Sequence, residues 1–106
     1  MLEEEEAGTL EEQRLANEEK LEKLLDEYET IRQDARDWLR AAVRDLKDEY
    51  RAFRSETRHM EKDARKEARR AEKDRIDALK EELEQVAEDQ EKEALTALMS
   101  AFEDMA

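Results

Sequence analysis

The chain of 106 residues contains no cysteine and no proline, a single glycine (Gly8), a single histidine (His59) and five aromatic residues. Without thiols, disulfide frameworks, thiolate metal sites and cysteine nucleophiles are excluded. With almost no Gly or Pro, the tight turns of β-sandwiches, barrels and doubly wound sheets are excluded too. Long apolar runs are missing as well. The longest uncharged stretch, Ala94–Phe102, has nine residues, against the roughly 20 of a membrane-spanning helix. The first residues, Met-Leu-Glu-Glu-Glu-Glu, are acidic where a secretory signal is basic and then apolar. A cytoplasmic protein without membrane contact is expected.

What remains is charge and helix formers. There are 33 acids against 20 bases, a formal net charge of −13. Forty residues are apolar, but 15 of them are alanine, which leaves 25 large apolar side chains for a core. Abundant Glu, Ala, Leu, Arg and Lys is the composition of long helices and coiled coils. High net charge with few aromatics also suits disorder, so periodicity decides. Apolar residues recur at Leu21, Leu24, Tyr28, Ile31, Ala35, Trp38 or Leu39, Val43, Leu46, Tyr50, Phe53 and Met60. Those steps of three and four mark one helix face. From 43 to 64 the spacing is a heptad, with Val43, Tyr50, Thr57 and Ala64 in one line and Leu46, Phe53 and Met60 in the other. A second stripe runs through Ile76, Leu79, Leu83, Val86 or Ala87, Gln90, Ala94, Leu98, Ala101 or Phe102, and Met105. Its mean step is longer, which predicts less left-handed supercoiling.

No strong breaker separates the stripes. The weakest helical stretch is Ser55-Glu56-Thr57-Arg58-His59, where Ser and Thr can cap and His is a mediocre helix former. A turn near 55–59 predicts an all-α fold: an antiparallel helical hairpin with coiled-coil arms that self-associates into a bundle. Bulky Trp38, Leu46, Tyr50 and Phe53 would then face Ala64, Ala68 and Ala71. The alternative is one continuous long helix in a multi-chain coiled coil. A three-helix bundle is disfavoured, because its middle helix would include 58–75, which offers little beyond Met60 and alanines. The pattern Thr9-x-x-Glu12 is a capping box. It divides an acidic N-terminal segment, 1–8, from a single helical domain, 9–106.

Charge is distributed unevenly. Residues 1–29 carry 12 acids and 3 bases, and residues 76–106 carry 10 acids and 2 bases. Between them, 30–57 hold 6 acids and 7 bases, and 58–75 hold 5 acids and 8 bases. A parallel in-register pair would set each acidic end beside its own copy, within a Debye length of ~8–10 Å. Antiparallel self-association, basic middle toward acidic end, is therefore expected.

Candidate chemistry is sparse. Glu56, His59 and Asp63 have the Glu-x-x-His spacing of helical di-iron sites. Such sites need a second motif and further inward carboxylates, so no metal and no cofactor is expected. Arg40, Arg44, Lys47, Arg51, Arg54 and Arg58 form a basic line beside the seam, with Asp45, Glu49, Glu56 and Asp63 on the other flank. Such a line can track phosphates or set register in a coiled coil. Interleaved acids favour the second, and nucleic acid is a poor partner. Leu95, Leu98, Met99 and Phe102 share a helical face that finishes the seam or docks another protein. The aromatics Tyr28, Trp38, Tyr50 and Phe53 read as core.

These readings converge on a structural role: an oligomerising coiled-coil scaffold or adaptor whose partners are itself and another protein. The alternative is an acidic inhibitor, chaperone or DNA mimic that sequesters a basic partner. A DNA mimic would need a denser field, since ~68 Å of duplex carries ~40 charges. With no glycine loop for phosphates, no thiol and no histidine constellation, an enzyme is not expected.

Overall fold

Runs of good helix formers with no proline to interrupt them form two helices, α1 (Leu2–Glu56) and α2 (Lys62–Met105). The computed structural model describes the backbone of residues 2–105 and the side chains of residues 9–105. Among the described residues there is no strand. The helices lie antiparallel in a hairpin measuring 92 × 17 × 8 Å. The expected all-α hairpin is thus the fold, and a single continuous helix is not. α1 runs without a break through Thr9, so the Thr9-x-x-Glu12 box does not begin the helix. Met1 and the side chains of residues 2–8 lie outside the described part, and the division at residue 8 stays one of sequence.

The turn spans 57–61, two residues beyond the stretch expected, so Ser55 and Glu56 still belong to α1. No described residue adopts positive φ. The reversal is instead built from short-range bonds: Arg58 N–H donates to Ser55 O at 3.4 Å and Met60 N–H to Thr57 O at 3.1 Å. A helix ends with four carbonyls lacking intrahelical partners, and here side chains reach two of them, Phe53 O and Arg54 O. The Thr57 hydroxyl donates to Phe53 O at 2.9 Å and to Arg54 O at 3.2 Å. From α2, Arg69 Nη2 donates to Arg54 O at 2.9 Å, and its Nε donates to Thr57 Oγ1 at 3.1 Å. Arg65 Nη1 reaches Arg58 O at 3.4 Å. Two guanidinium groups therefore stand at the negative end of the α1 dipole, where cations are stabilising. Glu61 O accepts the first α2 bond, from Arg65 N–H at 2.8 Å, and Asp63 places an acid in the first turn of α2.

The seam between the arms has its own period. The buried residues of α1 and the turn are Ala35, Leu46 and Thr57, and those of α2 are Ile76, Ala87 and Leu98. Each set repeats every eleven residues. An eleven-residue repeat gives 3.67 residues per turn, close to the 3.6 of a straight helix. The heptad read over 43–64 holds locally, since Val43, Tyr50, Phe53 and Met60 are half-buried. It fails at Ala64, which is exposed beyond the turn. Ala68 is half-buried and Ala71 exposed, so of three alanines expected against the bulky residues one lies near the seam. Leu21, Leu24, Tyr28, Leu39, Leu79 and Leu83 are half-buried as seam residues.

Three expected core residues are not core. Ile31, Trp38 and Val86 remain 45%, 42% and 43% exposed. The cause is the width of the contact: a two-helix hairpin covers a narrower strip than the full apolar stripe. Leu39 and Ala87 take the inward slots, and their neighbours Trp38 and Val86 fall beside them. Leu98, a member of the second stripe expected either to finish the seam or to dock a partner, is buried in the seam. No large side chain among the described residues is fully buried.

Candidate functional site

Helical spacing on two nearly straight arms keeps each flank of the hairpin continuous, so side chains far apart in sequence share one face. On that face near the turn, Val43, Leu46, Tyr50 and Ile76 floor an open groove of about 310 Å³. Its rim carries five cations, Lys47, Arg51, Arg54, Lys73 and Lys80, and one acid, Asp77. The groove continues toward the turn into a pocket formed by Arg51, Arg54, Ser55, Arg58 and Arg69. Of the basic line read from sequence, Lys47, Arg51, Arg54 and Arg58 come together here. Arg40 and Arg44 are exposed farther along α1. Lys73, Lys80 and Arg69 belong to the other arm, and nothing short of the pairing register would have added them.

Two further grooves lie along the rod. Midway, Ile31, Asp34, Ala35 and Trp38 face Gln90, Glu93 and Ala94. Toward the open end, Leu10, Arg14, Asn17 and Leu21 face Phe102 and Met105. Of the four docking candidates, Leu95, Met99 and Phe102 are exposed on α2 at 43%, 56% and 39%, and Phe102 lines this groove. Leu25 is exposed as well. It was missed because its neighbour Leu24 holds the seam position and no partner face was in view.

Few ion pairs join the arms. Arg36 meets Glu91 at 3.7 Å, and Arg75 meets Glu49 at 3.7 Å. Arg75 also grips Glu72 through two hydrogen bonds one turn away. That bond, with the nearby positive charge, holds the Glu72 carboxyl below the usual carboxylate range despite some desolvation. The same bond raises Arg75 further, with Glu49 adding to the effect. The Glu72–Arg75 pair has the i,i+3 spacing of a local helical ion pair, whereas the cross-arm pairs depend on the pairing register.

The Glu56, His59 and Asp63 spacing carries no ligand geometry. α1 ends at Glu56, His59 sits in the turn and Asp63 belongs to α2. Among the described residues no group of three or more His, Asp or Glu side chains is arranged to hold a metal ion. No helix among them is long and apolar enough to cross a membrane. The surface offers an apolar-floored cationic groove near the turn and exposed apolar side chains among acids toward the open end. Comparison with protein-family models, curated proteins and solved structures gives no match.

Proposed function

We propose that this protein is a structural assembly module, a cytoplasmic helical hairpin that self-associates and serves as a scaffold or adaptor between proteins. One observation carries the reading. The seam between α1 and α2 is thin, and on one flank of the 92 Å rod Leu25, Leu95, Met99 and Phe102 stay at least 39% exposed. Apolar side chains grouped on a soluble surface, rimmed by charge, mark association sites. A two-helix hairpin buries on one side only, and a second hairpin completes the burial as a four-helix arrangement. Sedimentation equilibrium tests this. The expected mass is that of a dimer or larger, and a monomer at every concentration would refute self-assembly.

A second reading has its own observation. Toward the open end, residues 9–29 of α1 and 94–105 of α2 together carry 10 acids against 3 bases. Such a field attracts a basic partner. A monomeric protein forming a stoichiometric, salt-sensitive complex with a defined basic protein would establish sequestration in place of scaffolding.

A further inference from the structure

We propose that the face bearing the cationic groove is self-complementary, and that a second copy of this chain docks on it antiparallel. The inference rests on the self-assembly reading and specifies its geometry. On α2 the groove is lined by Lys73, Asp77 and Lys80. Continuing along the same face in steps of three and four gives Glu84, Glu88 and Glu91, and then Leu95, Met99 and Phe102. On α1 the same line runs from Lys47 back through Arg36 to Leu25, each eleven residues from the last. One face thus has two unlike halves. The half near the turn is an apolar floor with a cationic rim. The other half presents the exposed apolar Leu25, Leu95, Met99 and Phe102, with Glu22 and Glu29 of α1 on the same flank.

Each half is what the other would bind. The groove calls for an acidic surface with protruding apolar groups, and the chain carries one. It cannot reach its own: Lys73 and Leu95 stand 22 residues apart on one rigid helix, about 33 Å. A second copy can. Turned antiparallel, it sets each groove on its partner's acidic half, and the contact occurs twice about a two-fold axis, a closed isologous pair. An axis crossing the face near residues 38 and 87 places Lys47 over Glu29 of the partner subunit, Arg54 over Glu22 of the partner subunit and Lys80 beside Leu95 of the partner subunit, while Glu84, Glu88 and Glu91 gather at the axis beside Arg36 and Arg40. The overlap is then about 60 Å of the rod. Across a 17 Å width it exceeds the roughly 800 Å² per partner of a standard interface.

The other flank makes a poorer seat. Its middle groove, between Ile31, Trp38 and Ala94, is rimmed by Asp34 and Glu93 with no cation. Paired on itself, that groove would set acid against acid with no cation between, whereas Arg36 and Arg40 stand beside the glutamates at the middle of the cationic face. A parallel pair on the cationic face fails for the mirror reason, stacking five cations on five.

The test mixes two full-length single-cysteine variants, Lys47→Cys and Glu29→Cys, both at exposed positions, and oxidises them. Mixed 29–47 disulfides well above the random proportion are expected. Dominant 29–29 and 47–47 products on a dimeric protein would overturn the antiparallel face while leaving self-assembly standing. Monomers without cross-links would overturn both. Independently, the double variant Leu95→Lys with Met99→Lys should keep its helical spectrum yet lose dimer mass. An unchanged mass would remove this face from the interface.

Discussion

Replacing Thr57 by valine tests how the hairpin is closed. Thr57 is 5% exposed, and valine preserves its branched shape while deleting the hydroxyl. Two kinds of bond go with it. The first is local: the hydroxyl donates to Phe53 O, which still accepts the Thr57 N–H at 3.0 Å, so little is lost there. The second crosses the turn. Arg69 Nε loses its acceptor, and hydrogen bonds to charged groups contribute ~1.5–3 kcal/mol. Arg69 is half-buried, so water reaches part of the freed donor and the lower end applies. The expected cost is ~1–2 kcal/mol, or roughly 5–10 °C in Tm for a chain of this size. Thr30 supplies the control. Its hydroxyl makes the same local bond, to Asp26 O at 2.9 Å, on an exposed face with no partner arm. Thr30→Val should therefore change stability by no more than ~0.5 kcal/mol. The assay is denaturant unfolding followed by far-ultraviolet circular dichroism, at one protein concentration so that any association would enter every variant equally. A double-mutant cycle with Arg69→Met isolates the cross-turn term. Equal costs for Thr57→Val and Thr30→Val, or strict additivity with Arg69→Met, would show that the bridge adds nothing.

Further outcomes follow from the same contacts. Leu46→Ala should cost ~2–3 kcal/mol as a buried truncation, while Val86→Ala, at an exposed flank, should cost under ~1 kcal/mol; the reverse order in denaturant midpoints would mean the seam is misplaced. Ala87→Leu, inserted where the arms meet closely, should destabilise by ~1–3 kcal/mol through overpacking, and a stabilised variant in the same assay would reveal a void there. Because the Glu72 carboxyl lies below its ordinary value of 4.5 in the folded state, its contribution is present above that pH and fades as pH falls through the depressed value. Glu72→Gln should flatten this part of the acid limb in Tm measured against pH, and an unaltered limb would contradict the Arg75 bond as its source. Raising salt should weaken self-association measured by sedimentation, since the rim charges are solvent-exposed and screened; a salt-independent constant would point to a purely apolar interface.

The fold was legible because local and global preferences agree. Leu46, Tyr50 and Phe53 mark a helix face by spacing alone, and Ile76, Leu79 and Leu83 mark another. Once two faces exist in one chain with a weak stretch between them, folding back is the nearest way to bury both. The turn was placed two residues early because Ser55 and Thr57 both suit a helix end. What selects Thr57 is its bond to Arg69, a residue twelve positions on, and no local pattern contains that. Trp38 and Val86 were misread for a related reason. Each is the bulkier of two adjacent candidates, and bulk favours burial. The hairpin instead holds Leu39 and Ala87 inward, because the spacing of the neighbouring seam residues sets the slot.

That spacing links the fold to the candidate site. A heptad maintained along both arms would coil them, and each flank line would wind around the rod, out of reach of a rigid partner. The eleven-residue interval from Ala35 to Leu46 to Thr57, matched by Ile76, Ala87 and Leu98, keeps the arms nearly straight. The flank lines stay straight with them, so Lys47, Arg36 and Leu25 hold one edge of the face and Lys73, Glu84 and Leu95 hold the other. The basic line was visible in the sequence as a run on α1, but its meaning depends on what stands beside it. Without α2 in register, Lys47 through Arg58 is a charged helix flank, and Leu95 through Phe102 is the end of a seam. The hairpin turns these into two halves of one surface. In the proposed pair an antiparallel copy would set the cations near the turn against Glu22 and Glu29 and the apolar floor against Leu25 and Leu95.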